Sequence, residues 1–215
     1  MTTEFFFVRH GETDTNRSGV LQGQHNAPLN ANGVAQAEAL AEYLRDFEFD
    51  VIYASDLLRA SLTAEKIAGC GHKNIPFIRT PDLREMDCGD LEGKHWTELK
   101  EKYSDKVNVF YREVDTEFPN GESKKAFQQR VSDFLEKILE KHRGQKILLV
   151  SHGGVQQRIF YHIAGVVNES NLLPLAGNAS LSTFLYSDNQ NAWQLTSWNF
   201  REHLKNLPQH QTLVL

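Results

Sequence analysis

Residues 5–13 read FFFVRHGET, and residues 147–154 read ILLVSHGG. Each stretch has four apolar residues, one polar residue, a histidine and a glycine, which is typical of a buried strand that ends in a turn. In parallel α/β sheets the ligand site lies beyond the carboxyl ends of the strands. If these two strands are neighbours, His10 and His152 therefore meet at one edge of the sheet.

The rest of the chain alternates short apolar runs with segments of helical periodicity. Strands are predicted at residues 4–8, 50–55, 76–80 and 146–152, and helices at 33–47, 57–69, 123–144 and 154–165. Residues 180–187 and 192–198 are predicted to form a terminal antiparallel pair. This order predicts an α/β fold with a mostly parallel sheet. We interpret residues 1–215 as a single domain, with the least periodic stretch, about 86–121, as a small insertion over the carboxyl ends of the strands.

Composition and motifs argue against several classes of protein. The formal net charge of −5 disfavours a nucleic-acid-binding domain, which is usually basic. Two cysteines provide no disulfide framework, and the glycine motifs of dinucleotide enzymes, P-loop kinases and serine hydrolases are missing. The amino terminus lacks a signal-peptide pattern, and no apolar run approaches the ~18 residues of a membrane span. We therefore expect a cytoplasmic protein whose partners include neither nucleic acid nor a membrane.

A third predicted strand end contributes an arginine. The strand at 50–55 ends at Ser55 in the sequence SDLLRAS, which places Arg59 in the first turn of the next helix. Arg9 ends the first strand, so both guanidinium groups can converge on the two histidines. A single arginine or histidine at a strand end is usually a surface residue, but the repetition favours a site. Because guanidinium groups match phosphate oxygens in paired hydrogen bonds, the pattern predicts a site for a dianion.

Glycine follows each of the two histidines. Gly11, Gly153 and Gly154 are expected to let the backbone approach a ligand closely, and the helix after Gly153 is expected to direct free N–H groups at the anion. Seven other histidines lack this context and are interpreted as surface or packing residues: His25, His72, His95, His142, His162, His203 and His210. Cys70 and His72 have no second ligand pair at zinc spacing, so no metal site is predicted.

Several motifs together resemble one family. RHGET followed by Asn16, Gln22–Gly23, PLNANGVAQA, SDLLRA, a downstream LRE and VSHGG resemble the histidine phosphatase superfamily, in the same order and from Phe5 to about Ser180. That group includes cofactor-dependent phosphoglycerate mutases, broad acid phosphatases and α-ribazole phosphatases. The resemblance implies a phosphoglycerate mutase-like, three-layer α/β/α sandwich around a mostly parallel sheet.

The resemblance also implies roles for individual residues. His10 matches the nucleophile that becomes phosphohistidine, and Glu85 matches the proton donor to the leaving oxygen; His152 is the third catalytic residue. The residues expected to bind the substrate phosphate are Arg9, Asn16, Arg59, His152 and Gly153. His10 must be neutral to attack, so its other ring nitrogen should donate to a backbone carbonyl. The scheme requires neither a cofactor nor a metal.

The resemblance leaves the reaction open between a phosphatase and a mutase. Mutases of this family carry a longer insertion with an arginine pair, whereas here the insertion is short and offers only Arg112. We therefore expect a phosphomonoesterase acting on a small molecule, with a bisphosphoglycerate-dependent phosphoglycerate mutase as the alternative. A catalytically weak phosphate-binding protein is a second alternative, disfavoured because all the expected site residues are present. Members of this family are often dimers, so the resemblance also allows a homodimer as the oligomeric state.

The aromatic residues of the insertion and the carboxyl-terminal segment can also be interpreted from the sequence. The insertion aromatics Tyr103, Phe110, Tyr111 and Phe118 are interpreted as packing residues, with an apolar lid over the substrate as the alternative. Near the carboxyl terminus, SWNFREHL has Phe200 where many members of the family have the second residue of an Asn-Asp pair. This segment is therefore expected to close the pocket differently, and Asn178 in GNAS is interpreted as structural.

Overall fold

A computed structural model of the chain describes residues 1–102, 118–166 and 173–208. Its strands are β1 (Thr2–Arg9), β2 (Val51–Ser55), β3 (Phe77–Thr80), β4 (Lys146–Ser151), β5 (Leu181–Ser187) and β6 (Ala192–Phe200). They form one sheet in the order β3–β2–β4–β1–β5–β6. The first four strands are mutually parallel, and β5 and β6 are antiparallel to their neighbours. This confirms the predicted sheet and its terminal antiparallel pair.

The described helices are α1 (Asp14–Ser18), α2 (Ala31–Leu44), α3 (Leu58–Gly69), α4 (Trp96–Lys102), α5 (Lys124–Lys141) and α6 (Gly153–Ala164). The helix at α2 begins two residues earlier than predicted because the Asn30 side chain accepts from the Gly33 amide. The short helix α1 was not predicted; a capping box between Thr13 and Asn16 starts it. None of the described helices is both long and apolar enough to cross a membrane.

The run of phenylalanines in β1 is explained by its place in the middle of the sheet. Phe5 and Phe7 pack in the apolar core on the side of α5 and α6. Phe6 and Val8 pack in a second core on the opposite side, against α2 and α3. A strand covered on both faces is apolar at successive positions instead of alternate ones. The three-layer α/β/α arrangement that the resemblance implied is confirmed.

The two ends of the insertion are hydrogen-bonded to each other. The Asp90 amide donates to the Pro119 carbonyl at 3.0 Å, and the Glu122 amide donates to the Asp87 carbonyl at 2.9 Å. Phe118 is buried in the core, which agrees with its interpretation as a packing residue. Four of the insertion residues discussed from sequence lie outside the described residues: Tyr103, Phe110, Tyr111 and Arg112.

Candidate active site

The nucleophile candidate His10 leaves the sheet directly after β1. β1 pairs with β4 so that Arg9 lies opposite Ser151, which brings His10 and His152 to neighbouring positions with ring centroids 5.1 Å apart. His10 Nδ1 lies 2.7 Å from the Gly11 carbonyl oxygen. Because a carbonyl only accepts, Nδ1 carries the proton and Nε2 keeps its lone pair. The expected backbone acceptor is therefore present.

The charges around His10 keep its imidazole neutral. Burial, then the positive charges of Arg59 and Arg9, hold the pKa of His10 well below its ordinary value of 6.5. Arg59 Nε lies 3.3 Å from His10 Nε2 and donates to it. In the free protein the lone pair of Nε2 thus accepts from Arg59, so the nucleophile candidate is in direct contact with a guanidinium that can bind an anion.

Both clamp arginines are buried and are held by backbone carbonyls. Arg59 Nη1 and Nη2 donate to the carbonyls of His25 and Gly23, each at 2.8 Å. Arg9 Nη1 donates to the Ala176 carbonyl at 2.6 Å. Burial is the main cause that lowers the pKa of each guanidinium to about 10. Both groups still carry their charge at neutral pH, and that charge attracts a dianion.

His152 is the N-cap residue of α6 and is fully buried. Its Nε2 lies 2.9 Å from Ser55 Oγ, which also accepts from the Leu57 amide. Nδ1 has no partner among the described residues. Burial, then Arg59 and His10, hold the pKa of His152 well below 6.5. Sequence reasoning missed Ser55 as a partner of His152, although its position at a strand end in SDLLRA was a usable signal.

Asn16 lines the cleft and is fixed by its amide oxygen. Asn16 Oδ1 accepts from the Thr13 amide at 3.2 Å and from Asn178 Nδ2 at 3.1 Å. Asn178 Nδ2 also lies 3.1 Å from the His10 carbonyl oxygen. With its oxygen engaged, Asn16 presents its NH₂ group as a donor to a ligand. Asn178 thus connects the His10 backbone to Asn16, and its structural role stays a prediction.

Glu85 lies over the amino terminus of α6. Its Oε2 accepts from the Gly154 amide at 3.0 Å, and its Oε1 accepts from the Met86 amide at 3.0 Å. A Cβ at Gly154 would come within 2.2 Å of Glu85 Oε1. The carboxylate therefore occupies this position because residue 154 has no side chain.

The three glycines have different surroundings, and Gly153 and Gly154 line the cleft whereas Gly11 does not. A Cβ on Gly11 would lie 2.4 Å from the Gly33 carbonyl oxygen, so Gly11 allows contact with helix α2. A Cβ on Gly153 would lie 3.3 Å from the Arg9 guanidinium. The close approach of the backbone to a ligand at these glycines stays a prediction.

A brace from α5 holds the loop that carries Glu85. Arg130 Nη1 donates to the carbonyls of Asp82 and Arg84 at 2.8 and 2.9 Å. Its Nη2 lies 2.8 Å from Glu122 Oε2, in a partly buried ion pair. Sequence reasoning missed Arg130, because nothing in a helical repeat shows that one arginine binds carbonyls of a distant loop.

Five of the side chains described above, but not His152, line one cleft of about 460 Å³, part of which is open to solvent. Arg9, His10, Asn16, Arg59 and Glu85 form its polar part. Its remaining walls are formed by Val20, Leu21, Gln22, Gly23, Trp96, Gly153 and Gly154. In the part of the chain that the structure describes, no group of three or more His, Cys, Asp or Glu side chains is arranged to hold a metal ion.

The remaining expectations from sequence concern residues away from the cleft. None of the six described histidines among the other seven lines it, and His210 lies outside the described ranges. Phe200 stacks near Tyr43 of α2, with ring centroids 5.2 Å apart. It therefore packs on the body and does not close the pocket, while the preceding Asn199 side chain accepts from the Gly177 amide.

Comparison with known proteins gives a consistent result. The family profile of the histidine phosphatase superfamily (branch 1) matches residues 5–201. A metal-independent phosphoserine phosphatase of Arabidopsis thaliana is 38% identical over 209 residues, covering 95% of this chain and 84% of that protein. A probable phosphoglycerate mutase of Enterobacter is 34% identical over 197 residues, covering 91% and 89%. A phosphoserine phosphatase mutant of Entamoeba histolytica, solved with phosphoserine, matches with a TM-score of 0.82 at 28% identity, covering 94% and 99%.

Proposed function

Because the chain belongs to the histidine phosphatase superfamily, we propose that it hydrolyses small phosphomonoesters through a phosphohistidine formed on His10. The observation that carries this proposal is the state of that side chain. His10 Nδ1 donates to the Gly11 carbonyl, and Nε2 keeps a lone pair beside the two buried arginines. A neutral imidazole next to fixed positive charge is suited to attack a phosphoryl group whose charge those arginines bind.

The first step forms the covalent intermediate. Arg9 and Arg59 bind the phosphoryl oxygens, with Asn16 and His152 as neutral donors. The Nε2 lone pair attacks phosphorus, and the bond to the ester oxygen breaks with its electron pair on that oxygen. Glu85, in its protonated form, gives the departing oxygen its proton.

The second step releases phosphate. Glu85, now a carboxylate, takes a proton from a water molecule as the water oxygen attacks phosphorus. The phosphorus–nitrogen bond breaks, its electron pair returns to Nε2, and Glu85 is protonated again. Arg9 and Arg59 supply the positive charge in both steps, so the scheme needs no metal ion. Treatment with EDTA should therefore leave the rate unchanged.

The substrate and setting remain proposals. We place phosphoserine first among the esters to test, because the Arabidopsis relative is named for that substrate. We propose a small-molecule substrate and a cytoplasmic location, with no nucleic-acid or membrane partner; the homodimer remains a prediction.

Phosphate release and trapping of the intermediate test this function. Wild type should release phosphate from an aryl phosphate and from phosphoserine, and rapid denaturation should trap a base-stable, acid-labile phosphoryl group. His10→Ala should lose both while keeping its circular dichroism spectrum, and His162→Ala on the surface should keep both. Full turnover by His10→Ala would contradict the mechanism.

The mutase alternative has its own readout. A mutase would convert 3-phosphoglycerate to 2-phosphoglycerate in the presence of 2,3-bisphosphoglycerate, with little free phosphate. We expect free phosphate to be the main product, because the clamp described above holds a single phosphoryl group. Rapid formation of 2-phosphoglycerate would replace the phosphatase assignment by the mutase one.

A further inference from the structure

Arg201 lies on the loop that holds Arg9, beside the phosphate clamp and just outside the residues that line the cleft. A Cβ built on Gly177 would come 2.9 Å from Arg201 Cζ and 3.0 Å from its Nε, so the guanidinium lies flat on the backbone of that glycine. The residue before Gly177 is Ala176, whose carbonyl holds Arg9, and the residue after it is Asn178, whose amide contacts the nucleophile's backbone. Arg201 therefore packs on the loop that positions the clamp.

The guanidinium of Arg201 lacks an acidic partner among the described residues. No described residue forms a hydrogen bond or an ion pair with it, and its Nε is shielded from water without a partner. Several other arginines of this fold are paired with carboxylates, among them Arg84 with Asp56 and Arg143 with Asp188. Removing a charged group from water without pairing it costs free energy. Such an arrangement is expected where a ligand supplies the missing partner.

The charge at the site also exceeds what one phosphoryl group needs. Arg9 and Arg59 together carry two positive charges, which match a phosphoryl dianion. Arg201 adds a third close by: burial lowers the pKa of Arg9 most, Glu85 raises it, and the charges of Arg59 and then Arg201 lower it further. In the protonated form that the first chemical step requires, Glu85 cancels none of this charge, so the third positive charge is balanced when the ligand brings further negative charge.

We propose that Arg201 binds an acidic group of the substrate other than the transferred phosphoryl group, and that this group is a carboxylate. The inference rests on the proposed function and narrows its substrates to phosphomonoesters of small carboxylic acids. A carboxylate fits because it carries one charge, as Arg201 does, and because its two oxygens match the fork of a guanidinium. Arg201 would then determine specificity without taking part in the chemical steps.

Two pairs of esters isolate the carboxylate. O-Phosphoserine and O-phosphoethanolamine differ by the carboxylate alone, and 3-phosphoglycerate differs from glycerol 3-phosphate by a carboxylate in place of a hydroxymethyl group. Arg201→Gln should lower kcat/KM for the acidic member of at least one pair by roughly 10- to 100-fold, the range expected for a hydrogen-bonded charge pair. For the member without a carboxylate, kcat/KM should change by less than about twofold, because that ester has no acidic group besides the phosphate for Arg201 to bind. Arg201→Lys should recover part of the loss.

The control is Arg143→Gln, which removes the same charge from an arginine that pairs with Asp188 beyond the amino-terminal ends of the parallel strands. Arg143→Gln should leave kcat/KM unchanged for both members of both pairs. The inference is overturned if wild type shows no preference for the acidic members, or if Arg201→Gln lowers both members of a pair equally.

Failure of the proposed function would look different. If wild type hydrolyses an aryl phosphate but shows no carboxylate preference, the phosphatase assignment stands and the role of Arg201 is wrong. If no ester is hydrolysed, the phosphatase assignment fails. In that case calorimetry can measure how tightly the same four esters bind to the His10→Ala variant and to the double variant that also carries Arg201→Gln. This comparison still decides the role of Arg201, because binding needs no turnover. Loss of a carboxylate-dependent affinity on Arg201→Gln supports the inference, and equal affinities in both backgrounds overturn it.

Discussion

Replacing Gly154 with alanine tests whether Glu85 donates its proton from the place where it lies. The added Cβ would meet Glu85 Oε1 at 2.2 Å and Cδ at 3.1 Å, and its three nearest atoms all belong to that carboxyl group. These atoms are the far end of a flexible side chain, so the carboxylate moves and the helix backbone stays. Alanine is the better helix former by about 0.5–1 kcal/mol, so the fold should be no less stable.

The size of the displacement sets the expected loss. Oε1 must retreat by about 1 Å to reach an ordinary contact distance, and a 1 Å misplacement of a catalytic group can cost about 10²-fold in rate. General acid catalysis as a whole contributes about 10²- to 10⁴-fold. We therefore expect Gly154→Ala to lower kcat/KM for phosphoserine about 100-fold, which corresponds to about 2.7 kcal/mol of transition-state stabilisation.

The leaving group separates this effect from general damage. Nitrophenolate leaves as a stable anion and needs no proton, so kcat/KM for 4-nitrophenyl phosphate should fall less than about tenfold in Gly154→Ala and in Glu85→Gln. Gly69→Ala, at a helical glycine with open space around its Cβ position, is the matched control and should match wild type on both esters. Equal losses on the two esters, or no loss on either, would refute the assignment of Glu85 as the acid.

Three other predictions follow from the same geometry. Ser55→Ala removes the partner of His152 Nε2 and should lower kcat/KM about tenfold, with a changed tautomer in the ¹⁵N spectrum of that ring; an unchanged tautomer would contradict the role of Ser55. Arg130→Met frees the loop carbonyls and leaves Glu122 unpaired, so denaturant titration should show a loss of about 1–3 kcal/mol; no loss would show that the brace is unnecessary. Because burial, Arg59 and Arg9 lower the pKa of His10 below 6.5, the folded state binds fewer protons than the unfolded chain below that pH. The free energy of unfolding should be fully retained above pH 6.5 and fall by up to ~1.4 kcal/mol per pH unit toward the lowered pKa; identical pH dependence in His10→Ala would contradict this.

The order of strands and helices was predictable because burial shapes the sequence directly. β1 lies inside the sheet with helices on both faces, so Phe5 to Val8 are all apolar and the strand is legible as a continuous run. The parallel topology then fixes which strand ends share an edge. His10 and His152 could therefore be brought together from sequence, as could the arginines that follow the same logic.

The parts of the site that escaped prediction depend on contacts between distant segments. Ser55 and His152 are 97 residues apart along the chain, and the carbonyls of Arg84 and Asp82 that Arg130 binds lie 46 and 48 residues before it. No periodicity marks either contact, because each depends on where the packed elements finally lie. The contacts at Gly11 and Gly154 escaped prediction for the same reason: the sequence shows that a side chain is missing but not which protein group lies beside the glycine.

The partners of the arginines separate those that bind a ligand from those that brace the fold. Arg84 and Arg130 are paired with carboxylates, which satisfy their hydrogen bonds and cancel their charge. Arg9 and Arg59 are more deeply buried, yet the hydrogen bonds described for their Nη atoms go to backbone carbonyls. A carbonyl satisfies a donor but carries no net charge, so each guanidinium keeps a full positive charge in a poorly solvated site, where it acts strongly on an anion. The pKa of about 10 that burial gives both groups shows that this arrangement has a cost in the free protein. A bound phosphoryl dianion repays that cost, and the same reasoning leads from the unpaired guanidinium of Arg201 to a second acidic group on the substrate.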